Sequence, residues 1–264
     1  MTNTNRKSSN WMISNPLELE VARGNVVGYS ELHCIAERIS IQANVEGNDV
    51  WQGTAFIIPI PNQLGGEKLC VTSSSYDDRV NGTGASSVDL YYLDAAGYEQ
   101  EENILLNGTV ISYSVGTNIR FINDFHIKNV GVNGVSSGNI TLFAFGTTTR
   151  VYNQINVGLN NGLSSLRMVP KGKTFYFDSE HVAVSGTPDA RVCIRTTAFM
   201  GERHGTTFID ICSLNLQQTT TFVKHNPPHK IPELCQIKAT AYTVGAGAGA
   251  NISVGYEGYL IDNE

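Results

Sequence analysis

Asp124 and His126 stand two residues apart in FINDFHIKNVGVNGVSSGNIT, residues 121–141, just ahead of a glycine-rich run. Residues two apart share one face of an extended strand, so the pair can form an ion pair or hold an imidazole for general-base work. No serine or cysteine in a nucleophile-elbow context and no anion-hole motif accompanies it, and a polar strand face accounts for both residues. A denser group lies further on, where His204, Cys212, His225, His229 and Cys235 fall within 32 residues. His225-x3-His229 would suit a metal on a helix, but Asn226-Pro227-Pro228 forbids that helix, and the outer spacings fit no structural-zinc pattern. A loop with incidental histidines is expected.

Other residues have a suitable type without a suitable setting. Asp89, Asp94, Glu99, Asp178 and Glu180 are eligible as the carboxylate pair of a glycosidase, yet eligibility is common among 24 acidic residues. DAAGYEQEE, opening at Asp94, lacks the acidic alternation and closing glutamate of a calcium loop and reads as a turn. GAGAGA at 245–250 is followed by no Lys-Ser/Thr pair and reads as a flexible hairpin connection. The expectation is therefore no catalytic residue, no cofactor-binding residue, no metal ligand and no cofactor.

The elements that must position these residues are strands. ERISIQANV, SSVDLYYLD, NILLNGTVIS, NITLFAF, KTFYFDS, RVCIRTTAF, CQIKATAYTV and NISVGYEGYLI are short, partly alternating and rich in β-branched and aromatic residues. Turn signals separate them: Gly65-Gly66, Asn81-Gly82, Asn107-Gly108, Asn133-Gly134, Gly186 with Pro188, and Pro227-Pro228. SELHCIAERIS, around residues 30–40, can supply a helical turn or two. In the opening stretch, strict alternation puts Ile119, Phe121, Asn123, Phe125 and Ile127 on one face and Arg120, Ile122, Asp124 and His126 on the other.

The chain has 264 residues, 41% of them hydrophobic and 16% charged, enough for one large core or two smaller ones. A net charge of -6, with 18 basic residues spread along the chain, argues against direct nucleic-acid binding. No run approaches the roughly eighteen consecutive apolar residues of a membrane-spanning helix, and MTNTNRKSSNWM lacks a signal peptide's apolar core. No membrane partner is expected, and synthesis in a cytoplasm is. Cys34, Cys70, Cys193, Cys212 and Cys235 are odd in number and scattered, as free thiols are.

These features predict an all-β fold of tandem, jelly-roll-like β-sandwich units with an extended N-terminal arm. The arm would be 1–21, the first unit 22–155 and the second 156–264, with the boundary in the Asn/Gly/Ser-rich QINVGLNNGLSSL near residues 153–165. The arm carries Arg6, Lys7 and the apolar Trp11-Met12-Ile13.

An ordered series of motifs carries a resemblance. ARGNVVGYSELH at 22–33 resembles an Ala-Arg-Gly-x-Val-x-Gly element, and DVWQG at 49–53 an Asp-Ile-Trp-Asp-Gly. TSSSYDDRVNGTGASSVDLYYLDAAGYEQEENILLNGT at 72–109 is similar to Ser-Ser-x-x-x-Asp, Gly-Thr-Gly-Ala, Leu-Asp-Ala and Leu-Asn-Gly-Thr in sequence. NIRFINDFHI and SSGNIT, MVPKGKTFYF at 168–177, NPPHKIPELCQIKATA and VGYEGYLID continue the order to residue 262. Together they resemble a family of virion structural proteins encoded by tailed bacteriophages, many of them aquatic. The stretch 31–48 lacks that family's basic Lys-Phe-Gly-Arg run, and 199–223 match poorly.

The resemblance implies a place in an assembled particle and no catalytic residues. The leading expectation is a capsid-surface decoration or cement protein, a homotrimer that also contacts other virion proteins such as the major capsid protein. A tail, fibre or receptor-facing component is the alternative, and would cluster aromatic residues such as Tyr91, Tyr92, Tyr98 and Tyr113 at one tip. A carbohydrate-binding β-sandwich is the third.

Overall fold

The computed structural model describes residues 16–41, 47–186, 188–199, 203–244 and 249–263. In chain order these form α1 (Leu17–Ala22), β1 (Tyr29–Ile41), β2 (Asn48–Asp49), β3 (Leu69–Ser73), β4 (Ala85–Asp94) and β5 (Glu99–Leu105). There follow β6 (Ser112–Tyr113), β7 (Ile119–Val130), β8 (Ile140–Ala144), β9 (Val151–Ile155) and β10 (Arg167–Met168). The last six are β11 (Lys173–Ser185), β12 (Asp189–Phe199), β13 (Arg203–Leu216), β14 (Thr220–Ile231), β15 (Gln236–Val244) and β16 (Ala250–Asp262). The all-β reading holds.

Two sandwiches result. In the first, sheet β6-β3-β8-β9 packs on sheet β5-β4-β7 around Leu69, Val71, Leu90, Phe125, Ile140 and Leu142. In the second, β1-β16-β11-β14 packs on β10-β15-β12-β13, with β2 beside β15, around Phe175, Phe177, Val182, Val254, Ile237 and Ala239. Each such side chain taken fully from water contributes about 1.5–3 kcal/mol, so these layers hold the fold together. A third apolar cluster joins the units: Trp51, Ile58, Leu93, Phe121, Leu166 and Met168 are buried together. Trp51 anchors it by donating its indole N–H to Ala55 O at 2.8 Å.

The unit boundary of 22–155 is corrected at its start. β1 pairs antiparallel with β16 along most of its length, Tyr29 opposite Ile261 through Arg38 opposite Ile252, so it belongs to the second sandwich. The same stretch is a strand and not the helical turn that SELHCIAERIS permits. Leu32, Cys34, Ala36 and Arg38 are buried at every second position, and that period of two outweighs the local helix propensity of Glu, Leu and Ala. Near residues 153–165 the chain does pass from one sandwich to the other, but this stretch is tied down. Ile127 N–H donates to Asn160 O, Gly162 N–H to Phe125 O and Ser165 N–H to Val50 O.

The expected arm, 1–21, is corrected at its end and otherwise lies outside the described residues. Leu17–Ala22 is helical, and Glu20 and Val21 are buried, Glu20 accepting hydrogen bonds from Arg23 and Asn25. GAGAGA also lies mostly outside the described residues. The strands on either side of it, β15 and β16, sit in different sheets and do not pair as a hairpin.

In β7 the alternation expected for 119–127 fails at two points, at Arg120, skipped between Phe121 opposite Leu93 and Ile119 opposite Asp94, and at Asn123. Tyr91 pairs with Asp124 and Tyr92 with Ile122, leaving Asn123 as an extra residue. A bulge of this kind turns the strand over. Ile122 and Phe125 therefore both enter the first core, while Phe121 enters the junction cluster. Asn123 holds the bulge in place, donating to Met168 O at 3.0 Å and accepting from Met168 N–H at 2.9 Å. Among the predicted turns, Gly66 is the one most tightly constrained. Its φ is +69°, and a Cβ there would run into the Asn118 backbone, so only glycine fits.

Candidate functional site

A cavity of about 510 Å3 opens between the two sandwiches, and the Asp124–His126 pair lines it. β1 contributes Glu31 and His33, β4 contributes Tyr91, and the ordered connection contributes Asn161 with the neighbouring Arg167. Asp124 and His126 share a face as expected: His126 Nδ1 lies 2.9 Å from Asp124 Oδ2. Tyr91 stacks on the imidazole with ring centres 5.5 Å apart. On its other side, His126 Nε2 lies 3.9 Å from Asp89 Oδ2, which in turn accepts from Lys128 Nζ at 2.6 Å.

This arrangement favours an imidazolium. The hydrogen bond to Asp124 raises the His126 pKa, burial opposes this, and the charges of Asp124 and Asp89 add to the rise. Asp124 itself is raised by burial but held below the ordinary value by His126 and the Arg167 charge. For Asp89 burial likewise raises the carboxyl, and hydrogen bonds from Lys128 and Asn103 outweigh it. A ring with one nitrogen against each of two carboxylates is poorly placed to take a substrate proton. No Ser or Cys lines the cavity among the described residues. Cys34, a neighbour of Arg167, is buried, gives its thiol hydrogen to Ser164 O and has its pKa raised by burial.

What the pair does instead is join the sandwiches. Arg167 Nη2 of β10 sits 3.8 Å from Asp124 Oδ1 of β7, and Arg167 Nη1 donates to Ser164 O and Leu166 O. Because His126 has a raised folded pKa, its contribution to stability is fully present below the unfolded value of 6.5 and is lost as pH rises through the folded value. His126→Asn is accordingly expected to lower the melting temperature more at pH 5.5 than at pH 8.5. A thermal melt of both proteins at the two pH values checks it, and an equal or reversed difference would contradict the assignment.

The C-terminal histidines form a second cluster, and here the loop expectation is corrected. His225 and His229 lie on edge strand β14, whose register against β11 breaks between Lys224, opposite Ser179, and His229, opposite Phe177. Proline gives no ladder hydrogen bond, which confines Pro227 and Pro228 to such an edge. The two rings lie 4.5 Å apart, and His225 Nε2 reaches Glu180 Oε2 at 3.0 Å. Cys212 adjoins Glu180, and its thiol is pushed up to about 12 by burial and by that carboxylate. Cys235 sits elsewhere in the core, near Thr197. The side chain of His204 lies outside the described residues. No set of three or more His, Cys, Asp or Glu side chains is placed to hold a metal among the described residues.

The eligible carboxylates are scattered. Asp89 is neutralised by Lys128, Asp94 closes the β4–β5 turn by accepting from Ala96 and Tyr98 N–H, and Glu99 pairs with Lys173. Asp178 pairs outward with Lys224, and Glu180 is buried in the second sandwich. Nor do the tyrosines gather. Tyr92 is core, Tyr91 stacks on His126, Tyr98 lies beneath Lys171 and Tyr113 packs beside Phe145. No described helix is long and apolar enough to cross a membrane.

Sequence reading missed the most heavily bonded side chain, Asp78. Fully buried, its Oδ1 accepts from Ala85 N–H and Ser137 N–H and its Oδ2 from Ser73 Oγ–H and Gly138 N–H, all between 2.6 and 2.8 Å. Those donors sit in TSSSYDD, GTGA and SSGN, three stretches already conspicuous as motifs.

No protein-family model matches the chain, and no curated protein sequence does. Among solved structures, one titled as infectious bursal disease virus Gx strain is 11% identical over 89% of this chain and 73% of that one, with a TM-score of 0.22. The Gt strain of the same virus gives 12% identity over 94% and 78%, with a TM-score of 0.17. The virus's VP2 subviral particle gives 10% identity over 94% and 78%, with a TM-score of 0.16. At these TM-scores the backbones do not superpose as one fold, and the likeness carries no argument.

Proposed function

We propose that this chain is a non-enzymatic structural component of a bacteriophage virion, a capsid-surface decoration or cement protein working through contacts between copies of itself as a trimer. The observation that carries the reading is the ordered motif series from residue 22 to 262, together with the work its residues do. Asp78 and its donors pin three loops of the first sandwich, and Asp49 and Trp51 of DVWQG hold the junction. Asp49 pairs with the Lys238 ammonium, Oδ1 to Nζ at 2.7 Å, and its Oδ2 accepts from Ile58 N–H at 2.8 Å. The motifs are thus the joints of a rigid body, as a particle component requires.

Contacts between copies use an apolar band at the β6 edge of the first sandwich, where Leu105, Ile111, Tyr113, Val115 and Phe145 are exposed. Tyr113 and Phe145 lie 6.0 Å apart, with Lys68 above both rings. The test is to quantify this chain in purified particles of the phage that encodes it.

A further inference from the structure

Glu180, His225 and His229 form a group of close titratable side chains that serves no joint described above. Glu180 faces inward from β11 with its side chain 0% exposed, and His225 opposite is 13% exposed. Facing a carboxylate at 3.0 Å, His225 Nε2 carries the hydrogen of that bond, while Glu180 Oε1 has no hydrogen-bond partner among the described residues. Phe177 lies against both imidazoles, its ring centre 5.0 Å from His225 and 6.1 Å from His229. From β13, Cys212 faces the carboxylate, with Cys193 of β12 beside it. Lys224 and Asp178 point outward and pair with each other at 3.6 Å.

One carboxylate can balance a positive charge on only one of the two rings. A second positive charge on a ring 4.5 Å from the first, in a half-buried site walled by Phe177, meets both like-charge repulsion and desolvation. β14 is also held along only part of its length. It is an edge, bonded only to β11, and its ladder is interrupted from His225 to Pro228.

We propose that Glu180, His225 and His229 are a proton-operated latch, which keeps β14 seated at neutral pH and releases it in mild acid, baring the β11 edge for pairing with another strand. The direction follows from linkage. Burial and then the His225 charge lower the His229 pKa from 6.5, so the released strand binds a proton that the seated one resists. The contribution of His229 to the seated state is present above 6.5 and is lost as pH falls through its folded pKa. Between those values the opening equilibrium rises by up to about tenfold per pH unit. This inference does not depend on the virion reading.

Hydrogen exchange followed by mass spectrometry on the full chain at pH 7.5 and 5.5, corrected for the intrinsic rate, tests the latch. Protection of residues 220–231 is expected to fall severalfold, to a limit of about tenfold, at pH 5.5, while residues 250–262 of β16 stay protected. In His229→Gln, which cannot take up the proton, the fall is expected to shrink below about threefold. Unchanged protection of 220–231 in the wild-type chain would overturn the proposal, as would equal loss in every strand. A full fall in a folded His229→Gln would overturn the assignment to His229, and if that variant fails to fold, the wild-type comparison decides alone.

Discussion

Asp78→Ala is expected to destabilise the first sandwich by roughly 4 kcal/mol, enough to leave it largely unfolded at 37 °C. The carboxylate accepts four hydrogen bonds while fully buried, three of them from backbone N–H groups. Removing it strands those donors, and a buried unsatisfied donor costs about 1–3 kcal/mol. The loops bearing Ser73, Ala85 and Gly138 would then separate, opening the ends of β3, β4 and β8 together. Asp78→Asn discriminates the cause. An amide NH2 at Oδ1 faces two backbone N–H groups, and at Oδ2 it faces Gly138 N–H beside a serine hydroxyl that can turn to accept, so either placement strands at least one backbone donor. Asparagine is therefore expected to be nearly as harmful as alanine in urea unfolding, and an Asn variant within about 0.5 kcal/mol of the wild type would refute the hub.

Val115→Asp is expected to convert the proposed trimer into a monomer without unfolding it. Val115 is 86% exposed, so the folded monomer loses little, since surface changes of this kind shift stability by about 0.5 kcal/mol or less. If copies meet on the Tyr113–Phe145 band, the new carboxylate is buried unpaired next to apolar surface. That costs about 2–5 kcal/mol, a weakening of at least about thirtyfold. Light scattering should give a mass near three times 28.7 kDa for the wild-type chain and near one times that for the variant at micromolar concentration. A wild-type monomer, or a variant that stays trimeric, would remove this band as the contact surface.

The strand content was legible because alternation survives wherever one sheet face meets a core, as in ISVGYEGYL of β16. Pairing partners were not, because strand contacts far apart in sequence leave no local trace. Nothing in SELHCIAERIS says that its partner is the last strand of the chain. The bulge at Asn123 was equally silent, since it is set by the Met168 backbone 45 residues away. At the candidate site, Asp124 and His126 were correctly placed together by the spacing of two. That both nitrogens of His126 face carboxylates depends on Asp89, which reaches the ring only through β4–β7 register. The Glu180–His225 pair was hidden for the same reason, and Asn226-Pro227-Pro228, a loop signal when taken alone, becomes an interrupted edge strand once β11 lies beside it. Asp78 left a trace of its own in the three motifs that supply its donors.

The central claim is best tested on the particle itself. On the proposal that a phage encodes this chain, its virions, purified by density gradient and washed in high salt, would be digested and the chain quantified against the shell-forming protein. The account predicts many copies per particle in a fixed ratio to the shell, the same from one preparation to the next. Absence from washed particles, with the chain left in the soluble fraction of infected cells, would contradict it.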